Sequence, residues 1–199
     1  KEGHMEVVLT GTQLGSYGFD LDNTSLNKML SRVLEETTIP RLRVSSLQPQ
    51  EISDELIRLW DNERLCPHFH LPLQSGSSTV LSRMRRRYSV AEYRQAVEKI
   101  RARLPSAAIT ADVIVGFPGE TEKQFTDTYN LCNEIKFANL HLFPYSSRPG
   151  TSAYYLSNKV ASKEIRTRMN LMLSLAKLQS ADYRKSILGT TSKVLWETH

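Results

Sequence analysis

Apolar and polar positions alternate along the chain in a way that predicts strands and helices following one another about five times. Short apolar runs end in polar, glycine-containing loops, and each loop leads into residues with apolar side chains at helical spacing. This order predicts parallel strands joined by right-handed crossovers, with the helices outside the sheet. A closed barrel needs eight such units, so five predict an open partial barrel or a doubly wound sheet. The predicted strands lie in residues 5–10, 42–44, 69–77 (with a polar turn), 110–115 and 138–143.

Capping residues locate the predicted helix starts. Thr24 or Ser25 precedes the first apolar helical pattern, and 89–92 and 121–124 have the spacing of a capping box. Residues 161–188 predict one long helix with an apolar stripe. Residues 193–197 predict a further strand after this helix.

Residues 110–121 combine a strand, a turn at Gly116 and the start of a helix. This arrangement places backbone N–H groups at the carboxyl edge of a parallel sheet, where α/β proteins bind ligands. The same pattern fits an ordinary connection between a strand and a helix, so this stretch alone leaves both interpretations open.

Length and composition are those of one substantial globular domain. The 199 residues are 40% hydrophobic and 24% charged. No apolar run reaches the length of a membrane span and no signal-peptide pattern begins the chain, which predicts a cytoplasmic protein without a membrane partner. Cys66 and Cys132 have no metal-ligand spacing, so we expect two reduced, buried thiols.

Basic residues are concentrated in two segments of a chain whose net charge is +5. Residues 83–103 contain eight basic and two acidic residues, and residues 162–185 contain six basic and two acidic residues. Such patches suit a polyanion such as nucleic acid. Solvated helix faces have the same composition, so charge alone does not separate the two interpretations.

Polar residues follow each predicted strand, although no Ser–His–Asp order or Walker-type loop appears. His68 and His70 are too few for a metal site without further ligands, so we expect no metal bound by protein side chains alone. A polar pocket without an acid–base pair suits a cofactor that supplies its own reactivity. The residues at the strand ends are Thr10, Thr12 and Gln13; Ser45, Ser46 and Gln48; His70, Gln74 and Ser75; Asp112; and Tyr145 and Ser146.

Four motifs in order give the chain a family resemblance. They are HLPLQSGS at 70–77, MRRRY at 84–88, DVIVGFPGET at 112–121 and FPYSSRPGT at 143–151. Together they resemble the radical S-adenosylmethionine methylthiotransferases. Residues 9–18 and 43–49 are most similar to the branch that acts on threonylcarbamoyladenosine.

This resemblance implies a partial (β/α)6-type barrel that lacks its first β/α unit. It implies that a [4Fe–4S] cluster cleaves S-adenosylmethionine reductively to a 5′-deoxyadenosyl radical. The radical takes hydrogen from C2 of a modified adenosine next to the tRNA anticodon, and a methylthio group is inserted there. The implied partner is therefore tRNA.

The resemblance also implies a set of cofactor-binding residues, but it identifies no catalytic residue. Gln74 and Ser75 would lie near the methionine or ribose part of the cofactor, and one arginine of 85–87 would pair with its carboxylate. Residues 115–118 would border the adenine, and Tyr145 and Ser146 would lie near the adenosyl half. The whole expected set is Thr12, Gln13, Ser45, Ser46, His70, Gln74, Ser75, Arg85, Arg87, Asp112, Val115, Gly116, Phe117, Pro118, Tyr145 and Ser146.

The chain departs from the family in its cysteines. The family holds its cluster with a C-x-x-x-C-x-x-C loop, and neither Cys66 nor Cys132 matches it. We therefore expect the isolated chain to be inactive. The implied organisation is a partial barrel in 1–160, a long helix in 161–188 and the start of a truncated TRAM-like RNA-binding domain in 189–199. An open barrel edge would favour dimerisation or aggregation.

Two alternatives to a tRNA-modifying enzyme remain open from the sequence. One is a non-catalytic nucleic-acid-binding module with a degenerate barrel and basic helices. The other is an unrelated α/β protein that binds a nucleotide at the Gly116 turn.

Overall fold

Five parallel strands form a two-stranded and a three-stranded sheet, which lie side by side as an open partial barrel, in the computed structural model, which describes residues 3–196. The strands pair in chain order, as β1–β2 and as β3–β4–β5. Sparser backbone contacts join the two groups, including a hydrogen bond of 3.2 Å from Leu47 N to the His70 carbonyl. The predicted partial barrel is confirmed. The strands are β1 (Glu6–Leu9), β2 (Arg41–Val44), β3 (His68–His70), β4 (Ala108–Val115) and β5 (Asn139–Pro144).

Six α-helices connect or follow the strands in the described residues. Ser25 caps the first helix, and the capping boxes at Ser89 and Thr121 are both formed. The long helix is confirmed, and no helix within 3–196 has the length and apolar character needed to cross a membrane. The helices are α1 (Leu26–Glu36), α2 (Asp54–Arg58), α3 (Ser78–Arg83), α4 (Val90–Arg103), α5 (Glu122–Ile135) and α6 (Ser162–Ser186).

The strand expected at 193–197 is wrong over its described part. Residues 193–196 have no regular secondary structure, and Glu197 lies outside the described residues. Arg41 Nη1 donates to the Lys193 carbonyl at 3.0 Å, so this segment returns to the start of β2 without pairing with it as a strand.

The two faces of the sheet differ sharply in polarity. The convex face packs against the helices and is apolar, with Leu42, Phe69 and Val113 fully buried in a single core cluster. The concave face contains charged and polar side chains instead. These include Glu6, Arg41, Arg43, His68, His70, Thr110, Asp112 and His141, which alternate with the core residues along their strands.

Candidate functional site

The carboxyl ends of β3, β4 and β5 surround a cavity of about 470 Å³. This volume lies within the range of small-ligand pockets. Four of the expected cofactor-binding residues line it, so the strand-end pattern brings residues from three strands together. The lining residues are Gln74, Asp112, Ile114, Phe143, Pro144, Tyr145, Ser146, Arg148, Thr151 and Ala153.

A second, smaller pocket of about 180 Å³ contains four more of the expected residues. Thr12 and Gln13 lie opposite the arginines of 85–87, all three of which line the pocket. Arg85 and Arg87 are exposed, whereas Arg86 is half-buried. Eight of the sixteen expected residues therefore line two separate pockets, four in each, and the other eight line neither.

Three of the expected loop residues have left-handed backbone conformations. The φ angles are 64° at Ser46, 64° at Gln74 and 57° at Arg85. Non-glycine residues rarely adopt this region, and such positions cluster at functional sites. Ser46 lines neither of the two pockets. Its neighbour Ser45 donates its backbone N–H to the Leu9 carbonyl at 2.9 Å, which ties this loop to β1.

Helix α5 holds the loop after β3 through Thr128. The Thr128 hydroxyl accepts the Gly76 backbone N–H at 2.9 Å and lies 3.2 Å from the Ser75 hydroxyl. A Cβ at Gly76 would come within 2.6 Å of the Thr128 Cα, so the close approach requires glycine. The Ser75 side chain is fully buried against α5, and only Gln74 of this pair lines the cavity.

The Gly116 turn forms an aromatic wall next to the cavity. The Phe117 ring meets the Tyr145 ring edge-on, with centroids 5.5 Å apart. The Tyr145 backbone N–H donates to the Val115 carbonyl at 2.8 Å, which joins β4 to the end of β5. Arg83 Nη1 donates to the Pro118 carbonyl at 3.0 Å and holds the turn from the other side. The Val115 side chain itself belongs to the core.

Helix α6 fixes this turn through a buried arginine. Arg168 Nη1 donates to Glu120 Oε2 at 2.9 Å, and the two side chains are 2% and 1% exposed. The same Glu120 oxygen accepts the Gly116 backbone N–H at 2.9 Å. Glu122 and Glu164 also contact the guanidinium group. Burial raises the pKa of Glu120 despite the neighbouring cation, so the carboxylate depends on Arg168 for its charge.

The sequence did not identify the buried role of Arg168, because this residue lies in the basic segment 162–185, which the charge pattern assigns to the surface. Many arginines of the 83–103 segment are also engaged: Arg94 pairs with Glu134, Arg103 with Asp61, and Arg101 donates to the Ile135 carbonyl. Within the described residues of this segment, unpaired cationic side chains remain at Lys99 and at Arg85, Arg86 and Arg87. The three arginines concentrate this charge at the smaller pocket.

A continuous series of polar contacts crosses the concave face towards the cavity. Arg43 Nη2 lies 3.2 Å from His68 Nδ1, and His68 Nε2 lies 3.3 Å from the Thr110 hydroxyl. The same hydroxyl lies 3.0 Å from His70 Nδ1, and His70 Nε2 lies 3.2 Å from Asp112 Oδ2. Burial, together with the Arg43 charge, lowers the pKa of His68 to about 4, so this ring is neutral at pH 7.

The described residues do not fit an iron–sulfur cluster. Within 3–196, no group of three or more His, Cys, Asp or Glu side chains is placed to hold a metal ion. Cys66 and Cys132 are both buried and free, and burial raises the pKa of Cys132 to about 12. The polar and aromatic lining of the larger cavity does fit the nucleoside half of S-adenosylmethionine.

This fold and site define the class of protein. The model of the Radical SAM superfamily matches residues 10–132, which is more than half of the chain, and the chain therefore belongs to this superfamily. The superfamily uses S-adenosylmethionine together with a [4Fe–4S] cluster. Among curated proteins, the chain is similar to tRNA methylthiotransferases, which confirms the resemblance seen in the motifs.

Three relatives illustrate this similarity. Threonylcarbamoyladenosine tRNA methylthiotransferase MtaB of Bacillus subtilis is 40% identical, over 94% of this chain and 43% of the relative. The protein of that name from Thermotoga maritima is 39% identical, over 98% and 45%. The tRNA-2-methylthio-N(6)-dimethylallyladenosine synthase of Acetivibrio thermocellus is 36% identical, over 99% and 42%. The chain thus spans less than half the length of these relatives.

Solved structures share the fold at low sequence identity. Coproporphyrinogen III oxidase (HemN) from Escherichia coli has a TM-score of 0.62 and 15% identity, over 77% of this chain and 37% of that one. The archaeal Elp3 of Methanocaldococcus infernus has a TM-score of 0.51 and 15% identity, over 97% and 48%. These matches support the radical SAM barrel architecture.

Proposed function

We propose that this chain forms the barrel portion of a tRNA-modifying radical SAM enzyme that methylthiolates C2 of a modified adenosine next to the anticodon. The observation that supports it best is the cavity where Gln74, Asp112 and Tyr145 converge at the carboxyl edge of the sheet. The similarity to both branches of tRNA methylthiotransferases favours this reaction. We propose a cytoplasmic location, which is in keeping with a tRNA substrate.

The residues of the larger cavity suit a nucleoside. The Phe143 and Tyr145 rings line the cavity and offer apolar surface for a flat base, and Phe117 packs against Tyr145. Gln74 offers an amide that both donates and accepts hydrogen bonds. With its cluster, the cofactor supplies a radical that removes a hydrogen atom from the substrate. Residues at the ends of three strands line the cavity, and contacts with all three would fix the orientation of the ligand relative to the strands.

The smaller pocket suits an anion. Arg85, Arg86 and Arg87 present guanidinium groups, which bind carboxylates and phosphates in a planar, bidentate manner. We assign this pocket to the cofactor carboxylate or to a tRNA phosphate. The edge of β1 that pairs with no strand in the described residues is the proposed surface for dimerisation.

Cofactor binding by the larger cavity is directly testable. We expect S-adenosylhomocysteine to bind the 199-residue protein in calorimetry, and Gln74→Ala to weaken binding about threefold to tenfold through loss of a hydrogen bond. Gln95→Ala, on the exposed side of α4 and outside both pockets, is the matched control. Equal effects of the two variants, or no binding by the unmodified protein at millimolar ligand, would contradict the proposed site.

The cysteine content predicts the result of iron–sulfur reconstitution. Two cysteines cannot supply the three thiolates of the family's cluster, so we expect the 199-residue chain to hold no stoichiometric iron after anaerobic reconstitution. The measurement is iron and sulfide analysis with absorbance, beside a relative that has the three-cysteine loop. A stoichiometric brown species with charge-transfer absorbance would refute this expectation.

A further inference from the structure

The polar contacts across the concave face have two chemically different ends. Arg43 begins the series and can only donate hydrogen bonds. Asp112 ends it at the cavity, where its ionised carboxylate can only accept. Between these ends lie His68, Thr110 and His70, each of which can donate and accept.

The donor at one end and the acceptor at the other together determine the proton positions between them. Because Arg43 donates to His68 Nδ1, the neutral His68 ring carries its proton on Nε2 and donates to the Thr110 hydroxyl. Because Asp112 accepts from His70 Nε2, His70 carries its proton there and its Nδ1 accepts the Thr110 proton. Each hydrogen bond of the series is thus donated in the direction from Arg43 to Asp112.

The charged groups around this series are consistent with hydrogen bonds donated in the direction from Arg43 to Asp112. Glu6 pairs with Arg41 at 2.8 Å and with Arg43 at 3.6 Å, so it holds the Arg43 guanidinium group in place. The His141 ring lies edge-on to His70, with centroids 5.8 Å apart, and adds no hydrogen bond to it. Within residues 3–196, Asp112 Oδ1 has no hydrogen-bond partner and so remains available to a ligand.

We propose that His68, Thr110 and His70 form a directional hydrogen-bond relay that holds Asp112 as an oriented acceptor for a hydroxyl or N–H group of the nucleoside in the cavity. Thr110 and His70 act as positioning residues, since they reach the ligand only through Asp112. An acceptor that is already oriented needs little rearrangement when the ligand binds. The ligand part of this assignment rests on the proposed function, whereas the proton positions do not.

The proton positions can be measured in the 199-residue protein by long-range ¹H–¹⁵N NMR of the histidine rings at neutral pH. We expect His68 and His70 each to carry a proton on Nε2 and none on Nδ1. Protonation of His70 on Nδ1, or on both nitrogens, would overturn the relay. The result does not depend on cofactor, cluster or activity.

Thr110 offers a matched pair of variants for the same measurement. Thr110→Ser keeps the hydroxyl, so we expect His70 to keep its Nε2 proton. Thr110→Val removes the hydroxyl at nearly constant volume. Asp112 still accepts from His70 Nε2, so His70 should keep its Nε2 proton, whereas its Nδ1 resonance should shift because Nδ1 loses its hydrogen-bond donor. Thr126→Val, on the exposed face of α5, is the control for loss of a threonine hydroxyl elsewhere. An unchanged His70 Nδ1 resonance in Thr110→Val would show that Thr110 does not donate to His70.

Ligand binding tests the acceptor role. A hydrogen bond to a charged group contributes about 1.5–3 kcal/mol, so Asp112→Ala, which removes the acceptor, should weaken S-adenosylhomocysteine binding by about tenfold to a hundredfold. Thr110→Val should weaken it in the same direction, and Thr110→Ser should restore it. Unchanged affinity in Asp112→Ala would reject the acceptor role. If the unmodified protein bound no ligand, the acceptor role would fail with the proposed function, and NMR would still decide the relay.

Discussion

Replacing Arg168 with methionine is expected to lower the free energy of unfolding by about 3–5 kcal/mol. The substitution leaves Glu120, which is 1% exposed, without the cation that offsets its burial. It also removes the donor to the Glu120 carbonyl at 3.2 Å. Urea unfolding followed by circular dichroism measures the change.

Arg166→Met is the matched control, because Arg166 is exposed on the same helix. We expect its effect to stay within about 0.5 kcal/mol. In the double variant Arg168→Met with Glu120→Gln, no carboxylate is left buried alone, so part of the lost stability should return. Equal stabilities of the Arg168 and Arg166 single variants would show that the buried ion pair does not hold α6 to the turn.

Phe69→Ala is expected to destabilise the protein by about 3–5 kcal/mol through the cavity it leaves. Phe69 is fully buried in β3, and its ring centroid lies 4.5 Å from that of Trp60. Because Phe69 stands between the two histidines of the relay, its loss should also loosen the strand that presents them. Chemical unfolding followed by the fluorescence of Trp60 reports both the stability and the local packing.

Two further substitutions test whether the destabilisation in Phe69→Ala comes from lost packing in the core or would follow from the loss of any phenylalanine ring. Phe69→Leu keeps an apolar side chain in the core and should cost clearly less than Phe69→Ala. Phe143→Ala removes a ring that is 51% exposed at the cavity and should leave stability nearly unchanged. A small effect of Phe69→Ala, similar to that of Phe143→Ala, would contradict the assignment of Phe69 to the core.

The strands and helices were predictable where each one buries a single face against the core. Leu42, Phe69 and Val113 occupy buried positions of a regular alternation, which is the signal that periodicity detects. Residues 193–196 show the limit of that signal. Val194 and Trp196 have strand-like side chains but are 64% and 82% exposed, and no neighbouring strand pairs with them.

The site was predictable only in part, because strand ends locate residues but do not orient their side chains. Gln74 and Asp112 reach the cavity as expected, whereas Ser75, next in sequence, faces α5. Arg168 could not be distinguished from its exposed neighbours, since its acidic partner Glu120 is 48 residues away in the chain. The relay depends on side chains of β3 and β4 that face one another, and the register of these strands joins residues far apart in the chain, so the pattern of a single strand does not reveal the contacts.

Helix α6 anchors the turn that carries Phe117 in two ways. A Cβ at Gly116 would lie 2.5 Å from the Ile165 side chain, so the turn and the helix touch directly as well as through Arg168. Separating the helix from the turn would leave the buried Glu120 carboxylate without its cation. Because Phe117 packs against Tyr145, which lines the larger cavity, α6 supports this cavity although it contributes no side chain to the lining.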